Sequence, residues 1–98
     1  MEQVTLWNRD GLAVWAAWET DGELTLSGQD FRGADFGGEE YEYFLTVAVS
    51  DLPKLTEALG CDREGLLIEL QKQAEQIFQV GELKWLRSLG VEPKFHSF

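Results

Sequence analysis

One cysteine, one histidine and eight basic residues among 98 amino acids narrow the chemistry open to this chain. A lone thiol, Cys61, forms no internal disulfide and builds no multi-cysteine metal site. Its neighbours Asp62 and Glu64 disfavour a thiolate, so it reads as a small residue near a helix start. The single histidine, His96, has no Cys, Ser or acid at a meaningful spacing and reads as a surface or docking residue. No window holds the roughly 18 apolar residues of a membrane span. The start, MEQVTLWNRDGL, lacks the basic flank and apolar run of a signal peptide, so a cytoplasmic location is expected. Phosphate-cradling patterns of the GxGxxG and GxxxxGK[ST] kinds are missing. Asp30, Arg32, Ala34 and Asp35 do not fit a calcium loop, because Arg32 takes a ligand position and Ala34 supplies no side-chain oxygen. A looser calcium site from Asp30, Asp35 and Glu39 stays open. No catalytic pattern emerges, and no cofactor or metal is expected.

Acid is what the chain has in excess: 18 acidic residues leave a net charge of −10. Residues 1–50 carry ten acids against Arg9 and Arg32, while residues 51–98 carry eight acids against six bases. The excess therefore lies almost wholly in the first half. Such a field repels nucleic acid and acidic membranes and favours a basic protein partner. The blander reading is solubility alone. The hydrophobic share of 44% is ordinary and argues against disorder, and the length fits a single domain over residues 1–98.

The first half reads as a β-meander. Alternating strands are expected over Val4–Asn8, Leu12–Trp18, Glu23–Gln29 and Glu42–Val49, with type I′ turns at Asp10-Gly11 and Asp21-Gly22. The second half switches to helical spacing. A short helix follows Ser50 or Asp51 and ends at Gly60; a longer one, capped by Asp62, spans Arg63 to Val80; a third covers Glu82–Leu89. Val91, Phe95 and Phe98 make the tail too apolar for a free end. Together these give an α+β fold, a four-stranded antiparallel meander with two to three helices on one face.

Alternation then divides the sheet into two faces. Val4, Leu6, Leu12, Val14, Ala16, Trp18, Leu24, Leu26, Leu45, Val47 and Val49 should meet the helices. The other face carries Thr5, Trp7, Ala13, Trp15, Ala17, Thr25, Ser27, Phe44, Thr46 and Ala48. Rings among small residues and hydroxyls suit a contact surface, since aromatic side chains anchor interfaces. Alternatively, loop 30–41 or the C-terminal tail closes over this face, with Phe31 and Phe36 as lids. Asp30, Asp35, Glu39 and Glu40 gather near Asp10 at one end of the sheet. The candidate partner-binding set is thus Trp7, Trp15, Phe44, Asp30, Phe31, Asp35, Phe36, Glu39 and Glu40.

Three motifs carry a resemblance: E-Y-x-x-x-L-T-V at Glu40–Val47, D-x-P-x-L at Asp51–Leu55, and W-L-x-x-x-G-V at Trp85–Val91. In these the chain resembles a group of short uncharacterised bacterial proteins, and the likeness implies a fold without implying any catalytic residue. In size, acidity and plan it also resembles immunity proteins, which implies an inhibitor of a basic, nuclease-like toxin. Self-association into a homodimer through the ringed face is the alternative function.

Overall fold

The computed structural model describes residues 3–9, 11–30 and 41–97. The described residues form an α+β fold of five strands and four helices. The strands are β1 (Gln3–Arg9), β2 (Leu12–Trp18), β3 (Leu24–Asp30), β4 (Tyr41–Val47) and β5 (Lys94–Ser97). They form one antiparallel sheet in the order β1-β2-β3-β4-β5. Between β4 and β5 the chain makes a 3-10 turn (Val49–Asp51) and helices α1 (Leu52–Leu59), α2 (Leu66–Lys72), α3 (Ala74–Val80) and α4 (Glu82–Ser88).

The expected face assignment holds for β2, β3 and β4. Val14, Ala16, Leu24, Leu26, Leu45 and Val47 are buried with Leu55, Leu66, Leu67, Leu70, Ile77 and Leu86 in one apolar core. Each such leucine contributes roughly 1.5–3 kcal/mol by leaving water, so the helices are held by this face rather than by their own short lengths. Two carbonyl-bound contacts add orientation. The Arg63 guanidinium donates to Gly22 O at 2.9 Å and lies over the Trp18 ring, pinning the β2–β3 hairpin to the segment before α2. Gln71 Nε2 donates to Thr5 O at 3.0 Å, tying α2 to β1.

Four expectations are corrected. The β2–β3 turn is a three-residue loop, because Glu19 N donates to Glu23 O and Gly22 N to Glu19 O; only a glycine sits easily at the φ of 93° found at Gly22. The long helix is in two pieces. Gly65 N bonds Asp62 Oδ1 in a turn ahead of Leu66, and Gln73 leaves helical dihedrals at φ −102°, ψ 8°. Backbone bonds Gln73 N→Glu69 O and Ile77 N→Gln73 O stack α2 on α3, which is why the apolar spacing reads as one helix. β4 stops at Val47, so Val49 lies in the 3-10 turn, where it is exposed.

The fourth correction is the tail. Gly90, at φ 84°, closes α4 with Gly90 N→Arg87 O and Val91 N→Leu86 O, a paired arrangement that reverses the chain. Val91 is buried as expected, but the next residues pair with β4 as a fifth strand. Phe95 is therefore half exposed at a sheet edge, while Phe98 lies outside the described residues. No helix among the described residues is long and apolar enough to cross a membrane.

Candidate functional site

The sheet face away from the helices is built by register. One row of paired residues crosses all five strands: Thr5, Trp15, Ser27, Phe44 and His96. The row beside it is Gln3, Ala17, Thr25, Thr46 and Lys94. On the other side lie Asn8, Ala13, Gln29 and Glu42. Trp15 and Phe44 thus stand on β2 and β4, either side of Ser27 on the central strand, outside the apolar core cluster. Among the described residues no helix covers them.

Polar groups here are matched to one another. Thr25 and Thr46 hydroxyls approach at 3.4 Å across β3 and β4, and Gln29 Nε2 donates to Glu42 Oε1 at 3.2 Å. No buried side-chain nitrogen or oxygen among the described residues is left without a partner. A shallow depression of about 390 Å³ lies between Glu19, Thr25, Phe44, Thr46 and His96. Its lining combines two hydroxyls, one ring, one carboxylate and one imidazole. That combination offers apolar area with hydrogen-bonding capacity.

Trp7 does not belong to this face. Thr5 pairs with Trp15, but the next pair is Trp7 with Val14, so Leu6 is an extra residue in β1. Such a bulge reverses the alternation after it. Trp7 is turned to the helices, where it stacks on Phe78 with ring centroids 5.2 Å apart. Arg9 follows it round, lying 4.0 Å over the Trp7 ring and pairing with Glu75 of α3.

Asp30 is brought to the helix side as well. It ends β3 opposite Leu12 and Tyr41 and lines a cavity with Tyr43, Leu45, Glu82, Leu83 and Phe95. Phe31, Asp35, Phe36, Glu39 and Glu40 lie outside the described residues, and with them the loop cover and the looser calcium site. No cluster of metal-ligating side chains occurs among the described residues. The alternative in which the tail closes over the ringed face is overturned, because the tail extends the sheet instead.

His96 is the site residue that spacing alone overlooked. KFHS is a two-residue alternation, and β-pairing sets Lys94 and His96 on the ringed face with Phe95 on the helix side. Cys61 stands apart from all of this. Burial first, then the carboxylates of Glu69 and Asp62, push its thiol above the ordinary value.

No known protein family, curated protein or solved structure matches the chain. The residues of the ringed face therefore carry the functional reading by themselves.

Proposed function

We propose that this is an acidic protein-binding domain whose contact surface is the helix-free sheet face, and that its partner is a basic protein. The observation that carries the reading is the Trp15–Ser27–Phe44–His96 row, two partly buried rings on the helix-free face of the sheet and outside the core. Rings in such a setting hold a complex after encounter, and excess charge of one sign speeds the encounter itself. The net charge of −10 favours a cationic partner. Three of its cations pair within the domain, Lys54 with Asp51 and Gly90 O, Lys72 with Glu69, and Arg87 with Glu92, while Lys94 stands on the ringed face. An immunity-type inhibitor of a nuclease-like toxin is the biological form that matches these properties.

A test uses the partner recovered from cells expressing the domain. Trp15→Ala and Phe44→Ala should raise its dissociation rate at least tenfold, on the scale of a lost hot spot. Ile68→Ala, at an exposed position on α2, should leave that rate unchanged. Equal rates for all three variants overturn the reading.

One observation favours self-association as a second reading. Trp15 and Phe44 flank Ser27 symmetrically, so a two-fold axis along β3 would lay Trp15 of one copy on Phe44 of the other. Sedimentation separates the two, since only the dimer is dissociated by Trp15→Ala in the pure protein.

A further inference from the structure

The cavity on the helix side, at the β4–β5 end of the sheet, has a build of its own. Tyr43, Leu45 and Phe95 come from β4 and β5, and Glu82 and Leu83 from the start of α4, lining an open pocket of about 250 Å³. Tyr43 is held in place from two directions. Its hydroxyl donates to Glu82 Oε1 at 2.6 Å, and its ring lies across Gly28 of β3. The Phe95 ring runs nearly parallel to it, with centroids 6.4 Å apart and planes at 20°. Leu12, Leu45 and Leu83 line the rest with hydrocarbon.

We infer that this cavity binds an alkylguanidinium group, the chemistry of an arginine side chain. The molecule displays the same constellation elsewhere with its cation in place. The Arg9 guanidinium lies on the Trp7 ring and pairs with the Glu75 carboxylate. At the cavity a ring pair and a carboxylate recur, and among the described residues neither Glu82 nor Phe95 is met by a cation. A planar guanidinium can stack on the half-exposed Phe95 ring while it donates to Glu82, and an ammonium lacks the plane needed for both. The leucines accept the methylene stem, which an inorganic cation would not occupy. The site lies on the opposite side of the sheet from Trp15 and Phe44, so it stands or falls independently of the proposed contact face.

The experiment is an NMR titration of the full chain with butylguanidinium, with butylammonium, and with the peptide acetyl-Gly-Arg-Gly-amide. Butylguanidinium should give saturable shifts at Leu45, Leu83 and Phe95, and butylammonium should bind several-fold more weakly. Glu82→Gln keeps an acceptor for Tyr43 yet removes the charge, and should weaken binding about tenfold or more. Phe95→Leu, at a half-exposed edge position, should weaken it several-fold with the fold intact. Tighter binding of the peptide identifies a protein arginine as the natural occupant; equal or tighter binding of butylguanidinium identifies a free small guanidine. Unsaturable shifts, or identical affinity in wild type and Glu82→Gln, overturn the inference. So does binding that appears only in Arg32→Gln, since the chain's own arginine would then be the occupant.

Discussion

Gly28→Ala is a substitution whose sign distinguishes a packed contact from simple strand propensity. A glycine in a strand interior is disfavoured against alanine by about 0.5–1 kcal/mol, so alanine alone should stabilise β3. At this position a β-carbon would lie 2.6 Å from Tyr43 Oη and nearer still to carbons of the ring. Tyr43 is buried, so the ring has little room to retreat. Forcing it aside costs about 1–3 kcal/mol in overpacking, and releasing its bond to the Glu82 carboxylate removes about 1.5–3 kcal/mol more. The net expectation is a loss of about 2–4 kcal/mol, a large share of the stability of so small a chain. Urea unfolding followed by tryptophan fluorescence reads this directly. With a slope near 1 kcal/mol per M, the midpoint should fall by about 2 M or more. On a Tyr43→Leu background the same change should lose most of its cost, as a double-mutant cycle requires for two groups in contact. A midpoint that is unchanged or raised by Gly28→Ala in the wild-type background would refute the close approach of the ring.

Trp7→Ala should cost about 3 kcal/mol or more, because it removes a ring packed on Phe78 and the core. Trp15→Ala loses cross-strand contacts worth about 1 kcal/mol, and thermal melts of the two variants should differ accordingly. Val47→Asp places a carboxylate in the fully buried layer and should prevent folding, whereas Thr46→Asp on the other face should leave far-ultraviolet dichroism unchanged. Thr25→Asp should fall between them, since Thr25 is only 6% exposed although it sits on the helix-free face. Cys61, its thiol raised by burial and by Glu69 and Asp62, should react with iodoacetamide more slowly than free cysteine at pH 8, with the rate rising at higher pH.

Most of the sheet was legible because side chains in β2, β3 and β4 alternate without interruption. Trp15 and Phe44 follow from that alternation alone. Trp7 does not, because a bulge leaves no mark in VTLWNR; only the pairing partner Val14 reveals that the ladder has slipped. The fifth strand was missed for a different reason. Four residues after a proline carry too little alternation to stand out, and their strand character comes from the open edge of β4. The division at Gln73 is hidden by the apolar spacing of Leu70, Ala74 and Ile77, which runs unbroken through both helices. Within the three motifs, Leu45, Val47, Leu55, Leu86 and Val91 are buried, so these positions serve the core of this fold. The cavity beside Tyr43 could not be read from spacing, since Glu82 of α4 and Phe95 of β5 meet Tyr43 only once the chain has returned to the sheet.

The contact face is tested most directly by site-specific photocrosslinking at Ser27, the centre of the ringed row, in cells that express the domain. A photoreactive side chain there should join a second, basic protein in an adduct that weakens with added salt and disappears with Trp15→Ala. The same group at Ile68 on α2 should give no such adduct. Adducts of equal yield from both positions, or none from Ser27, would contradict a binding surface built on the sheet.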